Sequence, residues 1–386
     1  MNSETCSLTP IAPEWVEIAR DYSVPKSTTP GRVVVAMSGG VDSAVAAWLL
    51  KEAGHEVIGV SLRLAPDDAG SLAKRQGRCC SHDDMTDARK VCDMLGVPFY
   101  AIDARDRFKD MVFDPFVKAY REGRTPIPCL ACNHEVKFGD LFKTAQSLNA
   151  RLATGHYASL VDYNGHRTFA RPKDRNRDQT YYLYGTSPEA VEKLELPLAE
   201  LEKPFIRALA HRIGLRVSQK PDSQEICFVP DGDQARVVEK AGGPMPKGEM
   251  RDASGRVVAT HEGIHHFTIG QRRGIGVGLG ERAYVVDINA TTNLVQLGSK
   301  KALECHAIEV RELRAIVPFS AWPRRVLAQV RARGVAQGAE VRQSDDGFTL
   351  HFEEPAMAVA PGQAAVIYDG EALLGGGIIH ARIQTA

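Results

Sequence analysis

Val33-Val34-Val35-Ala36-Met37-Ser38-Gly39-Gly40-Val41-Asp42-Ser43-Ala44-Val45-Ala46-Ala47-Trp48-Leu49-Leu50 is the stretch that decides the fold. Its first five residues are a short apolar run rich in β-branched side chains, the pattern of a buried parallel strand. Ala44 to Ala53 reads as a buried helix stopped by Gly54. Between them stands Ser38-Gly39-Gly40-Val41-Asp42-Ser43. Such a turn is a device for holding phosphates. Two glycines let the backbone approach closely, Ser38 and Ser43 add hydroxyl donors, and the helix N-terminus carries partial positive charge. No Gly-Lys-Ser/Thr follows at Walker spacing, so the loop is of another kind. The Asp42 carboxylate would repel a bare phosphate, so it is expected either to cap backbone amides or to act through Mg²⁺.

Outward from this stretch, His55 to Leu64 predicts a strand, Thr86 to Leu95 a helix ending at Gly96, and Val97 to Asp103 a strand. Leu152 to Tyr157 ends another. Strands alternating with helices predict an α/β domain with a doubly wound parallel sheet. After Cys227, Gly and Pro become dense, Asp252 to Arg256 reads as a turn, and Gly270 to Gly280 as loop. Val326 to Arg331 and Ala364 to Tyr368 alternate as strands of a small antiparallel β domain. The expected organisation is an extension over 1–30, a nucleotide domain over 31–228, a small central domain over 229–300 and a C-terminal β-barrel domain over 301–386.

The chain has 386 residues, 44% hydrophobic and 25% charged, a balance that excludes disorder, collagen and coiled coil as the main architecture. No apolar run has the length of a membrane helix, so no membrane partner is expected. The N-terminus lacks an apolar signal region and carries Glu4, Glu14, Glu17 and Asp21, which argues against secretion. Lys plus Arg equals Asp plus Glu at 48 each, so net charge gives no argument for nucleic acid. Lys203, Arg207, Arg212, Arg216 and Lys220 nevertheless form a run without an acid, which by charge alone reads as a solvated face.

Eight cysteines, at 6, 79, 80, 92, 129, 132, 227 and 305, fit free, catalytic or metal-bound thiols of a reducing cytoplasm. Cys129-Leu130-Ala131-Cys132 stands before a helix expected from about His134. Its N-terminus would favour thiolates, with Lys137 close by. The second half of a zinc site is missing, because Cys79-Cys80 is adjacent and wrongly spaced. Cys227 lies between hydrophobes and by itself reads as a core cysteine. His265 and His266 read as solvated loop histidines, and no metal site is assigned.

The loop resembles that of the PP-loop ATP pyrophosphatases, the adenine nucleotide alpha hydrolase-like fold. The chain over residues 31 to 380 resembles the bacterial tRNA-specific 2-thiouridylases. The resemblance rests on Ala36 to Ser43, Gly123 to Asn133, Val136 to Gly139, Ala153 to Tyr157, Asp178 to Tyr184, Asp222 to Phe228, Gly270 to Gly274 and Pro361 to Gln363. It implies ATP-dependent, Mg²⁺-assisted 2-thiolation of the wobble uridine of tRNA. Cys132 matches the nucleophile and Cys227 the persulfide carrier, fed by a sulfur-relay protein or a cysteine desulfurase. Ala36, Met37, Ser38, Gly39, Gly40, Val41, Asp42, Ser43, Leu62 and Gly155 fall where relatives contact ATP. His156, Arg177, Asp178, Gln179, Arg331, Ala332 and Gln363 fall where they contact tRNA. Tyr157, Tyr181, Tyr182 and Tyr184 are stackers for a splayed base or core residues.

The chain departs from the family pattern at Ile127, where Asn is common, and at Arg177 and Thr180, which replace Lys and Ser. Cys129 stands where some relatives have Asp. It opens a rival chemistry, a [4Fe–4S] cluster on Cys129, Cys132 and Cys227. A small-molecule ligase of the same superfamily and a non-catalytic RNA-binding protein are the other readings. The first needs no paired thiols, and the second needs no intact loop.

Overall fold

The computed structural model describes residues 11–64, 82–222, 226–229, 232–277 and 282–383. Cys6, Cys79, Cys80, residues 223–225 of the Asp222 to Phe228 motif, and 278–280 of the glycine-rich loop lie outside the described residues. The chain forms two compact units. The first comprises Met1–Phe108, Asn133–Thr180 and Pro188–Phe228; the second comprises Lys109–Cys132, Tyr181–Ser187 and Val229–Ala386.

The first unit is built on a parallel sheet of β1 (Arg32–Ala36), β2 (Glu56–Arg63), β3 (Phe99–Asp103), β4 (Arg151–Ala153) and β7 (Leu194–Glu195). A hairpin of β5 (Ser159–Tyr163) and β6 (His166–Ala170) lies between β4 and β7 in sequence. The sheet order is β3-β2-β1-β4-β7, and every pair in it is parallel. Val33, Val34 and Val35 are fully buried, as a central strand covered on both faces requires. The helix Val41–Glu52 is apolar nearly all round because it packs against both the sheet and the helix Lys203–Arg212.

Part of the stretch read as an extension is ordered into this unit. The helix Pro13–Asp21 packs on Lys203–Arg212 through Trp15 and Tyr22, whose rings lie 6.2 and 5.1 Å from that of Phe205.

The second unit holds a sheet of β8 (Gly248–Arg251), β9 (Val257–His261), β10 (Tyr284–Asn289) and β11 (Leu294–Gly298), in the order β10-β11-β8-β9. The expected turn at Asp252 joins β8 to β9. Next come β12 (Glu304–Ala315), β13 (Arg325–Gln329), β14 (Gln337–Ser344), β15 (Gly347–Met357), β16 (Ala364–Asp369) and β17 (Ala372–Ile383). They run antiparallel in the order β12-β15-β14-β13-β16-β17, and pairing of β12 with β17 closes them into a six-stranded barrel. Closure removes sheet edges that would otherwise pair with other chains. Ile269 and Val286 of the central stretch pack with Leu303, Ala358 and Ala360, so sheet and barrel share a seam.

Candidate active site

Strand order fixes where a ligand can bind. From β1 the chain steps to β2 and β3 on one side, then crosses back to β4 and β7 on the other. The reversal falls between β1 and β4, whose carboxyl ends open a crevice. A cleft of ≈ 250 Å³ lies there. Ser38, Gly40 and Asp42 follow β1 into it, Gly155 and His156 follow β4, and Met37 and Leu62 give it an apolar wall.

The helix begins at Val41; its N-cap residue Gly40 offers no side-chain acceptor to the first N–H groups, and Gly40, Val41, Asp42 and Ser43 line the cleft. One expected donor has another task. Ser43 is buried; its hydroxyl accepts from the Ser38 N–H at 3.2 Å and donates to the Gly40 carbonyl at 3.1 Å. It braces the loop together with Ser38, whose hydroxyl lies 3.2 Å from that of Ser43; Ser38 is exposed and is the more accessible of the two to a ligand.

The two glycines flanking the cleft differ. Gly155 has an ordinary backbone, but a Cβ there would stand 2.8 Å from both Asp42 C and Ser43 N. It is glycine because the segment after β4 touches the first turn of the helix Val41–Glu52. A Cβ on Gly40 would meet only Ser38 Oγ at 3.5 Å, so the protein alone does not demand glycine there. Gly40→Ala should therefore melt like the wild type yet bind ATP roughly tenfold more weakly, the loss of one charge-assisted hydrogen bond. Gly155→Ala should lose about 1–3 kcal/mol of stability by forcing this segment away from the helix. Thermal melts and ATP titration check both; equal melting losses would show that Gly40 is a fold residue after all.

Asp42 neither caps the helix nor stands alone. Lys203 Nζ lies 2.7 Å from each of its carboxylate oxygens and 2.8 Å from Asp222 Oδ1. The Tyr157 hydroxyl donates to Asp42 Oδ1 at 2.8 Å. Burial, with Asp42 beside it, pushes the phenol far above its ordinary range, so Tyr157 stays a donor. Arg207 and Arg177 hold Asp222 at 2.7 and 2.9 Å. Burial alone would raise the Asp222 carboxyl, but Lys203, Arg207 and Arg177 outweigh it and hold the group below the ordinary aspartate range. That stabilisation is present above the ordinary carboxyl pKa and is lost as pH falls through the lower folded value. Lys220 Nζ reaches the Gly39 carbonyl at 3.0 Å, Asp84 at 2.6 Å and Asp87 at 2.7 Å.

Lys203, Arg207 and Lys220 of the acid-free run are therefore no solvated face, whereas Arg212 and Arg216 are exposed. The Lys203 side chain is 7% exposed and that of Lys220 19%. Both were missed as site residues. The available signal was the lack of acids around bases placed next to Ile206 and Leu209: ammonium groups without local partners must find distant carboxylates when buried.

The residues matched to tRNA contacts divide between the units. In the first, His156 stacks on Phe138 at 5.8 Å and bonds to Thr154 Oγ1 at 2.9 Å. Burial, and then the Lys137 ammonium, hold its imidazole down at about 3, so it is neutral at physiological pH. Arg177 bridges to Asp222, Asp178 pairs with Arg171, and Gln179 Oε1 accepts from the Tyr157 N–H at 2.8 Å. In the second, Arg331 donates to the Met357 and Ala358 carbonyls, and the Ala332 carbonyl accepts from Gln329. Gln363 Nε2 donates to the Thr125 carbonyl at 2.8 Å, and the Thr125 N–H donates to Pro361 O at 3.0 Å. Gly362 sits at φ 91° with Thr125 backbone 3.1 Å from where a Cβ would be. Pro361-Gly362-Gln363 thus clamps the segment that leads into Cys129 and Cys132. Tyr157, Tyr181 and Tyr184 are core residues, while Tyr182 is only part-buried.

Helical structure begins earlier than the sequence suggested. One turn, Pro128–Ala131, contains Cys129, and a π-helical stretch, Cys132–Phe138, follows before Gly139–Ser147. Pro128 at the first helical position starts the turn, so the cysteines lie inside the helical run and not ahead of it. Cys132 is buried, Cys129 exposed and Cys227 part-buried. By contrast, burial and then Asp93 push Cys92 up to about 12, which leaves it an inert core thiol.

A parallel sheet with a glycine loop at its switch point, followed by a closed antiparallel barrel, defines a nucleotide-binding α/β protein of the PP-loop class. Residues 31–231 match the tRNA methyl transferase HUP domain family, 235–299 the tRNA methyl transferase PRC-barrel domain and 305–379 the aminomethyltransferase β-barrel domain. The chain is 45% identical over 362 residues to the tRNA-specific 2-thiouridylase MnmA of Parvibaculum lavamentivorans, covering 90% of each chain. It is 44% identical over 365 residues to that of Sinorhizobium fredii, covering 90% of this chain and 91% of the relative. The chain belongs to the tRNA-specific 2-thiouridylase family, a family of tRNA-modifying transferases. Among solved structures, a 4-thiouridine synthetase–RNA complex with bound ATP aligns at TM-score 0.33 and 16% identity over 55% of this chain and 53% of that one, too slight a likeness to argue from.

Proposed function

We propose that the protein replaces the C2 oxygen of the wobble uridine of tRNA with sulfur, driven by ATP. ATP binds in the switch-point cleft with its phosphates on the Ser38 to Ser43 loop. AMP is transferred to the uracil C2 oxygen, and pyrophosphate leaves. A poor leaving group thereby becomes a good one. Mg²⁺ would offset triphosphate charge. Asp42, Asp84 and Asp222 are each ion-paired with a lysine, so the ion is assigned to the phosphate oxygens and no step is placed on a protein-held metal.

Cys227, loaded as Cys227–S–SH by a sulfur-relay protein or a cysteine desulfurase, supplies the sulfur. Its terminal sulfur attacks C2 and expels AMP with the old oxygen, after which the Cys132 thiolate attacks Cys227 Sγ and releases the thiocarbonyl. Alternatively Cys132 attacks first and frees hydrosulfide, which attacks C2. Either order leaves a Cys132–Cys227 disulfide, its two electrons having reduced the transferred sulfur, and an external thiol must regenerate it. A [4Fe–4S] cluster on Cys129, Cys132 and Cys227 has no supporting observation, and the persulfide route needs none.

The observation that carries the reading is the Asp42–Lys203–Asp222 bridge, which ties the nucleotide loop to the base of the segment bearing Cys227. His156, Arg177, Asp178, Gln179, Arg331, Ala332 and Gln363 are assigned to tRNA, the last through its hold on Thr125. The test is to mix protein, ATP, tRNA and a persulfide donor. AMP, pyrophosphate and an oxygen-to-sulfur mass gain at the wobble uridine are expected together. ATP cleavage with the uridine unchanged would overturn the reading.

A further inference from the structure

In the second unit, the helix Gln234–Gly242 meets the short turn Ile264–His266, and three ligating side chains converge there. His265 is not the solvated histidine its sequence suggested: its side chain is fully buried. Its Nε2 donates to Glu239 Oε1 at 3.0 Å, and His266 Nε2 lies 3.3 Å from the same oxygen. The three ligand atoms all fall within 4.8 Å of one another, the only such group among the described residues.

The placement is built. A Cβ at Gly263 would lie 2.4 Å from His265 Cε1 and 2.5 Å from Nδ1, so the ring fits only because residue 263 is glycine. His265 Nδ1 is buried without a hydrogen-bond partner. An imidazole is thus packed with one nitrogen unsatisfied while the other is aimed at a carboxylate. Ligand atoms about 2.0–2.2 Å from a tetrahedral ion sit roughly 3.3 Å apart; the two histidine nitrogens lie 3.0 and 3.3 Å from the Glu239 oxygen, and all three atoms lie within 4.8 Å of one another.

The geometry points to a two-histidine, one-carboxylate site for a borderline divalent transition ion of the Zn²⁺ class, formed by Glu239, His265 and His266. Imidazole with carboxylate suits that class and not Ca²⁺ or Mg²⁺. His266 and Glu239 are 37% and 40% exposed, which leaves one side open for a water as fourth ligand. The ion takes the place of the proton on His265 Nε2, and that proton moves to Nδ1. The ring keeps one unpartnered nitrogen in both states, so this cost does not oppose binding. Arg121 is the opposing charge nearby; its guanidinium is engaged by the Gly243 carbonyl at 3.0 Å. His261, the neighbouring imidazole, accepts from the Gly263 N–H through Nδ1 and is not a ligand. The ion would pin the helix to the turn.

Co²⁺ titration of the full, chelator-treated chain tests this. One equivalent should bind with visible ligand-field bands and no thiolate charge-transfer band, which separates the site from the cysteines. Binding should raise the melting temperature. His266→Asn and Glu239→Gln, both at part-exposed positions that tolerate change, should each weaken binding about tenfold or more, while Cys132→Ser should not. No stoichiometric binding, a thiolate band, or unchanged affinity in both the His266 and Glu239 variants would overturn the assignment.

Discussion

Lys203→Met is expected to destabilise the protein by about 3 kcal/mol, or roughly 10 °C in melting temperature, and to abolish thiolation. The wild-type ammonium is nearly buried and touches three carboxylate oxygens, two on Asp42 and one on Asp222. Methionine matches its volume but leaves Asp42 with only the Tyr157 hydroxyl, and an uncompensated carboxylate in a confined site is what costs most. Asp222 keeps Arg207 and Arg177, so the loss should centre on the nucleotide loop. The second substitution separates charge from packing. Asp42→Asn combined with Lys203→Met removes the unpaired charge and should recover most of the melting temperature without recovering activity. If the double variant melts as low as the single one, the lysine's role is packing. If Lys203→Met keeps wild-type ATP affinity and turnover, the bridge has no part in the reaction.

Cys132→Ser and Cys227→Ser are expected to drop uridine thiolation below detection while leaving ATP affinity unchanged. A hydroxyl can neither carry a sulfane sulfur nor resolve one, so no partial activity should survive through the persulfide route. The two variants should differ in what accumulates. With a persulfide donor, Cys132→Ser should retain sulfur on Cys227, visible by peptide mass. Cys227→Ser should acquire none at that position. After one turnover without reductant, the wild type should yield a peptide joining Cys132 to Cys227. Cys129→Ser should keep activity, since no step is assigned to it. Loss of activity on Cys129→Ser together with bound iron and labile sulfide would favour the cluster instead.

Much of the first unit was legible because its determinants are local. Val33 to Met37 can hardly be anything but a buried strand, and Ser38-Gly39-Gly40-Val41-Asp42-Ser43 between it and the apolar run Ala44 to Leu50 marks a phosphate loop. The loop at Gly270 and the turn at Asp252 announced themselves through residues that break regular structure. Ser43 shows the limit. Its hydroxyl looked like a ligand donor, yet its nearest acceptor is the Gly40 carbonyl within the same turn. The π-helical start at Cys132 was hidden because no side-chain pattern distinguishes an extra residue in a helical turn from the usual spacing.

What the sequence determined by itself was the strand–loop–helix motif and the parallel and antiparallel halves, because strand periodicity and turn residues are properties of short segments; the roles proposed for Cys132 and Cys227 rest on the family resemblance, since Cys227 by its own segment reads as a core cysteine. Only the tertiary structure decided which distant charges meet. Lys203 stops looking like a surface lysine once its helix packs beside the loop and lays the ammonium between Asp42 and Asp222. His265 stops looking like a loop histidine once Glu239 arrives from another helix. A buried ion's partner is chosen by proximity in space and the cost of leaving charge unpaired, and neither is written in the spacing along the chain.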